Sequence, residues 1–375
     1  MRFLMLNWRD PKNPKAGGAE RVTEAFLRAL LERGHEVFWF ANAFPGCHAE
    51  EVIDGIRVAR GGGQGSSIVQ AMRWYRKQAR FDLVIDQHHG LPWYAPWWSG
   101  TRCIAYIHEV LGPIWNAFYK WPWNSIGRTQ ERWTHKLYHR VPFWVPSEST
   151  RTALLRHGVQ KVKVIPNGTD TFPVAALEPK TLHQPVQLIA VSRLAPNKRV
   201  AHAIAATKRL LRSGCDARLT IVGNGEDLPN LKAAAQDPEL GDRVTFTGSV
   251  SEAEKNAALR RAHLLVHTSI REGWGLNVIE ANAMGTPAIV YPVAGLVDST
   301  VHNQTGLVTP AETPEALAQT IQGLLAKPGA YEQLRKAAWE RSKTFLWSHV
   351  LPPACDWLES CARAESGVVQ HAKNR

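Results

Sequence analysis

Strand-like and helix-like segments alternate along this chain, lapse at a proline-broken stretch, and then alternate again. Few folds accept that pattern. Residues 3–7 form a short apolar run suited to a buried strand. A loop with Pro11, Pro14, Gly17 and Gly18 follows, and from Ala19 the apolar residues Val22, Phe26, Ala29 and Leu30 recur at helical spacing until Gly34, where a helix should stop. Residues 36–41 read as the next strand, so the chain opens with a βαβ unit and hence a parallel sheet. Residues 81–86, 102–107, 143–145 and 162–165 continue as strands of the same sheet. Pro173, Pro179 and Pro185 then interrupt the pattern, marking an inter-domain linker. Beyond it, residues 186–192, 218–222, 244–246, 263–268, 288–291 and 306–308 read as strands that alternate with helical segments. Two consecutive doubly wound α/β domains are predicted, over residues 1–170 and 186–345. In such folds ligands bind at the carboxyl ends of the strands, and here two such edges can face each other across a cleft.

The 375-residue length accommodates two domains, and an apolar fraction of 44% against 21% charged residues places the chain among folded globular enzymes. Only the last residues, 370–375, lack apolar anchors and are expected to be poorly ordered. Met1 leads straight into the first strand, so a secretory signal is not expected, and no apolar run approaches the length of a membrane span. Five scattered cysteines without a Cys-x-x-Cys pair fit reduced thiols in the cytoplasm. The net charge of +12 is concentrated in the first half, where residues 1–179 carry 23 Lys/Arg against 15 Asp/Glu. That excess points to an anionic partner or to a merely solubilising face, and charge alone does not separate the two.

The most informative segment spans residues 271–290, Arg-Glu-Gly-Trp-Gly-Leu-Asn-Val-Ile-Glu-Ala-Asn-Ala-Met-Gly-Thr-Pro-Ala-Ile-Val. It follows a strand, turns on Gly273 and Gly275, opens a helix near Leu276 and leaves it at Gly285. A glycine-led helix amino end offers unpaired N–H groups and partial positive charge to an anion. Yet Glu272 and Glu280 flank that end, and carboxylates repel a bare phosphate. They make sense as acceptors for hydroxyls on either side of a diphosphate, which describes a nucleotide-sugar. The competing reading is a pair of solvated glutamates on a helix face; both glycines and the Ala-x-Gly-x-Pro exit argue against it. Arg193 and Lys198 lie five apart just past the first strand of the second domain. Fixed cations there would stabilise the charge left on a departing diphosphate, a transition-state effect. The sequence holds no Asp-x-Asp pair or Walker-type loop for Mg²⁺, so no metal and no cofactor are expected.

With these residues in place the chain resembles glycosyltransferase family 4, the large GT-B group of retaining enzymes, over nearly its whole length. The matching positions are Gly17-Gly18, His108-Glu109, Pro146-Ser147-Glu148, Pro166-Asn167-Gly168, Ser192-Arg193-Leu194 with Lys198, Val222-Gly223-Asn224-Gly225, Gly248-Ser249-Val250 and the Glu272 to Glu280 segment. Phe345-Leu346-Trp347 is similar to the start of a terminal helix (about 346–375) that crosses back to the first domain. The resemblance implies two Rossmann-like domains, acceptor binding by the first and donor binding by the second. It implies that Glu280 holds the ribose and Glu272 the donor sugar. Arg193 and Lys198 would bind the diphosphate, assisted by backbone amides at Gly275-Leu276 and Gly17-Gly18, and Gly273 and Trp274 would also belong to the donor site. Val250 and Asn224 would lie along the nucleotide and His108 beside the anomeric carbon. The implied reaction is retaining, metal-independent hexosyl transfer from a UDP- or GDP-sugar to a saccharide or lipid-linked acceptor. Trp274 stands where phenylalanine is commoner and Glu109 where aspartate often follows the histidine; both keep the chemical type.

Weaker signals remain. His88-His89, at a strand end, lacks further ligands at zinc spacing and reads as a loop lining the acceptor cleft. Gly61-Gly62-Gly63-Gln64-Gly65 and Gly223-Asn224-Gly225 miss the dinucleotide fingerprint and read as flexible loops. Nine of the 15 tryptophans fall between Trp74 and Trp144, interleaved with basic residues. That mixture suits either ordinary packing or a peripheral site on the inner face of the cytoplasmic membrane. The rival functions are a sugar-nucleotide epimerase on the same architecture and a basic, aromatic nucleic-acid binder; no RNA-binding module supports the latter.

Overall fold

The structure, a computed structural model, describes residues 1–63, 65–88, 90–327 and 329–364. His89, Gln64 and the tail after residue 364, on which three of the expectations above fall, lie outside the described residues.

In the N-terminal domain the strands are β1 (Arg2–Leu6), β2 (Glu36–Ala41), β3 (Glu50–Ile53), β4 (Ile56–Arg60), β5 (Leu83–His88), β6 (Cys103–Ile107), β7 (Phe143–Val145) and β8 (Val162–Val164). The α-helices are α1 (Gly18–Glu32), α2 (Ser67–Tyr75), α3 (Ile114–Phe118), α4 (Trp123–Leu137) and α5 (Glu148–Arg156). The sheet order is β3-β4-β2-β1-β5-β6-β7-β8, all neighbours parallel except the β3–β4 hairpin. That hairpin is not in the predicted pattern; its readable signal is the turn at Asp54-Gly55, where both residues take positive φ, 47° and 86°. Its buried edge is held by Arg60, whose guanidinium donates to both oxygens of Asp10 at 2.7 and 2.8 Å.

The C-terminal domain contains β9 (Val186–Val191), β10 (Ala217–Val222), β11 (Val244–Gly248), β12 (Leu264–His267), β13 (Ala288–Val290) and β14 (Gly306–Val308). Its α-helices are α6 (Val200–Arg212), α7 (Leu228–Ala235), α8 (Glu252–Arg261), α9 (Leu276–Ala283), α10 (Leu296–Ser299), α11 (Pro314–Leu325) and α12 (Ala330–Ser342). The order β11-β10-β9-β12-β13-β14 is parallel throughout. Continuous apolar strands such as Phe3–Leu6 and Leu264–Val266 are buried because helices cover both faces.

Each sheet reverses its order once, at β1/β5 and at β9/β12, and a crevice opens at the carboxyl ends there. A final helix, α13 (Trp347–Arg363), returns to the first domain, where Val350, Ala354, Cys355 and Leu358 join the core made by Val22, Phe26 and Leu30. Trp347 packs edge-on against Phe26 at 5.5 Å, and a Cβ at Gly168 would collide with its ring. Thr169 pairs with Leu346, so the crossing is pinned at the residue where the chain changes domain.

Candidate functional site

The loop after β9 and the loop after β12 are tied to each other before either reaches the cleft. The Arg199 guanidinium donates to the carbonyls of Thr268 and Ser269 at 2.8 and 2.7 Å, and Ile270 N–H donates to Asn197 O at 2.9 Å. Thr268 Oγ1 donates back to the carbonyls of Lys198 and Arg199. This stitching brings Lys198 Nζ onto Glu272 Oε1, which also accepts from Ser269 Oγ at 2.6 Å and lies 3.6 Å from His267 Nε2. Burial alone would raise the Glu272 pKa; the Lys198 charge, His267 and the hydrogen bonds from Lys198 and Ser269 outweigh it and lower it, so the residue is a carboxylate. Burial pushes His267 down to about 4, leaving that imidazole neutral near pH 7.

Gly275, with φ +87°, is the N-cap of α9, and the helix begins at Leu276. Asn277 Nδ2 donates to Val191 O at 2.7 Å and so fastens the helix tip to the end of β9. Glu280 lies a turn further on and meets Lys255 Nζ of α8 at 3.0 Å. Lys255 also pairs with Glu252 at 2.6 Å, and Glu252 with Arg21 of α1 at 3.4 Å, an ionic chain that crosses between domains. Sequence reasoning missed Lys255, because only the packing of α8 beside α9 brings it to Glu280.

Arg193 is 62% exposed at its side chain and its nearest carboxylate is Glu226, at 3.9 Å, so Lys198 rather than Arg193 meets Glu272. The Trp274 indole is buried against Phe345, ring centroids 5.1 Å apart, at the base of the crossing helix. Val250 packs on the C-terminal core just before the capping box of Ser251 and Glu254 that starts α8. The 223–225 turn is clamped rather than flexible: Leu194 N–H donates to Asn224 O at 2.9 Å, and Cβ atoms at Gly223 and Gly225 would collide with the carbonyls of Ser192 and Leu194. Both glycines let that turn lie directly under the Arg193 loop.

The N-terminal domain supplies the facing wall. Gly17 N–H donates to Glu20 Oε2 at 2.7 Å, which fixes the start of α1, and a Cβ on Gly18 would touch Leu276 at 3.9 Å. His108 follows β6; its Nε2 lies 3.0 Å from Gln87 Nε2, so this ring nitrogen is the acceptor. Gly273 presses on it so closely that a Cβ would sit 2.6 Å from the His108 carbonyl oxygen. Glu109 is pushed up to about 7, first by burial and then by Glu272, against the opposing pull of Lys198 and Arg271. Glu131 of α4 accepts from the N–H groups of Leu111 at 2.5 Å and Gly112 at 2.9 Å, holding the loop after His108. Beside these lies a cavity of about 80 Å³, lined by His88, His108, Glu109, Glu131 and His135 among others. Arg271, from the other domain, is half-buried near Glu109 and Glu131.

Two Rossmann-like domains that close a cleft between a glycine-led helix tip and a strand-end histidine define a GT-B glycosyltransferase. The comparisons with known proteins agree: residues 16–171 match the model of Glycosyltransferase Family 4, and residues 177–341 that of Glycosyl transferases group 1. The chain belongs to the family 4 GT-B glycosyltransferases. It is 27% identical over 415 aligned positions to the glycogen synthase of Mycobacterium tuberculosis, covering 99% of both chains. Among solved structures it is similar to sucrose-phosphate synthase from Thermosynechococcus elongatus (TM-score 0.76, 22% identity, 96% of this chain and 98% of that one). It is also similar to Anabaena HepE in complex with UDP-glucose (TM-score 0.72, 18% identity, 96% and 100%).

Proposed function

We propose that the enzyme transfers a hexose from a UDP- or GDP-sugar to a saccharide or lipid-linked acceptor, with retention of anomeric configuration, in the synthesis of a cell-surface glycan. The observation that carries this reading is the contact of Lys198 with Glu272 at the β9/β12 switch point, directly beside the tip of α9. An incoming diphosphate takes Lys198 as its counter-charge, which leaves Glu272 able to accept from donor-sugar hydroxyls. Amides at Gly275 and Leu276 meet the phosphates, and Glu280 exchanges Lys255 for the ribose hydroxyls. Arg193, on an exposed loop, swings from Glu226 to the diphosphate. Val250 and Asn224 border the nucleotide, and His108 stands at the anomeric carbon. Lys198 and Arg193, rather than a metal ion, offset the charge that develops on the leaving group. The UDP-glucose bound by HepE and the polysaccharide made by a glycogen synthase are compatible with this assignment.

The experiment is a hydrolysis and transfer screen over UDP- and GDP-hexoses. One donor is expected to be turned over; silence across the whole set contradicts the reading.

The acceptor would be met at a membrane. Phe118, Tyr119, Trp121, Trp123, Ile126 and Trp133 of the α3–α4 region are exposed, Trp121 by 80%. Lys120, Arg128, Arg132 and Lys136 alternate with them. Exposed indoles beside cations suit the headgroup layer of an anionic inner leaflet. No helix among the described residues is long and apolar enough to cross a membrane. Co-sedimentation with anionic vesicles should fall severalfold in a Trp121→Ala/Trp123→Ala variant. Wild-type protein left in the supernatant at both low and high salt would reject the membrane site.

A further inference from the structure

The small cavity beside His108 differs from the donor side in the sign and state of its polar groups. Among its described lining residues are two carboxyl groups, Glu109 and Glu131, and no lysine or arginine. Two of its three described histidines carry no compensating charge, since burial pushes His88 and His135 down to about 3. The half-buried guanidinium of Arg271 nearby already faces Glu109 and Glu131. Polar atoms here are buried without a hydrogen-bond partner: Glu109 Oε2, on a residue that lines the cavity, Arg271 Nε beside it, and His88 Nε2, which lies 3.6 Å from Asp86 Oδ1. Buried polar atoms left unpaired cost stability unless something completes them, and they cluster where a ligand does so. The basic residues of α4 cited above lie in its exposed half, whereas Glu131, on the same helix, is buried and turned to the His108 loop.

We propose that this cavity is the acceptor subsite and that it receives the hydroxyl-bearing edge of an uncharged saccharide, with Glu109 as the residue that reads those hydroxyls and rejects a phosphate. The inference rests on the glycosyltransferase reading above and narrows its acceptor. Sugar hydroxyls both donate and accept, and so can complete carboxyl, imidazole and guanidinium groups together. A phosphate dianion would be set against two carboxyl groups in a site of low dielectric. In the transfer the acceptor oxygen bonds to the anomeric carbon as the bond from that carbon to the diphosphate oxygen breaks. The electron pair of that bond stays with the diphosphate, which also takes the acceptor proton. A lipid-linked and a free saccharide present the same edge; the phosphate of a lipid-linked acceptor would remain outside, near the basic face of α4.

The test uses the full chain with the donor found in the screen. Maltose, maltotetraose, myo-inositol and a glucosyl-lipid in anionic vesicles are compared with glucose 6-phosphate, fructose 6-phosphate and inositol 3-phosphate. Transfer to at least one neutral acceptor is expected, with kcat/KM for every phosphorylated one lower by about tenfold or more. The vesicle arm separates lipid-linked from free saccharide. Glu109→Gln should raise KM for the neutral acceptor and narrow the discrimination against the phosphorylated ones, with the Kd for nucleoside diphosphate unchanged. A preference for a phosphorylated acceptor would overturn the proposal. So would nucleoside diphosphate binding without transfer to any neutral acceptor, or a Glu109→Gln variant with unaltered KM and unaltered discrimination. Failure to bind nucleoside diphosphate at all would instead sink the glycosyltransferase reading on which the proposal stands.

Discussion

On the C-terminal side of the cleft the charged groups near the helix tip already have partners: Lys198 holds Glu272, Lys255 holds Glu280, and Arg193 lies within reach of Glu226. On the N-terminal side Glu109 and His88 each keep a buried polar atom without a hydrogen-bond partner, as does Arg271, which reaches that side from the C-terminal domain. The difference matches two kinds of ligand. A charged donor can enter a site of ion pairs by replacing one charge with another, so that no lysine or carboxylate is stranded in either state. A neutral acceptor cannot displace an ion pair, and needs hydrogen-bonding capacity left open for it.

Breaking the donor side should have the largest effect. Lys198→Ala removes the cation and leaves the Glu272 carboxylate with only Ser269 and the neutral His267 beside it. Turnover is expected to fall by on the order of 10²-fold or more. Glu272→Gln in the same background should recover melting temperature but not turnover, which steady-state rates and thermal unfolding check together. Next comes the contact between the two sides. Gly273→Ala would place a methyl group 2.6 Å from the His108 carbonyl, which forces the donor tip away from its facing wall. A displacement of that kind should lower kcat/KM by roughly ten- to a hundredfold while nucleoside diphosphate binding changes little. Glu280→Ala should act mainly on ground-state binding, raising the donor KM by about tenfold with kcat nearly unchanged. An effect confined to kcat would mean that Glu280 does not hold the ribose.

The smallest effect concerns the acceptor side alone. Burial and the neighbouring Glu272 charge raise the Glu109 pKa to about 7, with Glu131 adding to the rise and Lys198 and Arg271 opposing it. A carboxyl raised in the folded state contributes its stability fully below its ordinary unfolded value. That contribution is lost as pH climbs from there through 7. Wild type should therefore lose melting temperature relative to Glu109→Gln over that window, by on the order of a few degrees. Parallel curves for the two proteins would show that Glu109 is not perturbed.

The helix tip was readable because its residues are nearly contiguous. Gly273, Gly275 and Glu280 share one strand–turn–helix segment, and a helix tip can be deduced from glycine placement alone. Lys198 was readable as a cation just past a strand end, although its partner Glu272 was not, since that pairing depends on the Arg199 and Thr268 stitching between two loops. Lys255 and Arg271 carry no local signal: each acquires its partners only when α8 packs on α9 or when the domains meet. The 223–225 turn reads as a flexible loop and is clamped instead, because its glycines pack against carbonyls of a loop about thirty residues away in sequence. The parallel sheets followed from hydrophobic periodicity. The β3–β4 hairpin did not, since its strands are short and β3 buries no residue fully.

Calorimetric titration of the purified protein with UDP and with GDP tests the central claim most directly. Saturable binding of at least one of them is predicted, strongly weakened in Lys198→Ala and in Glu280→Ala and retained in Glu109→Gln. Absence of binding to both nucleotides by the wild-type chain, or equal binding by the Lys198→Ala variant, would contradict it.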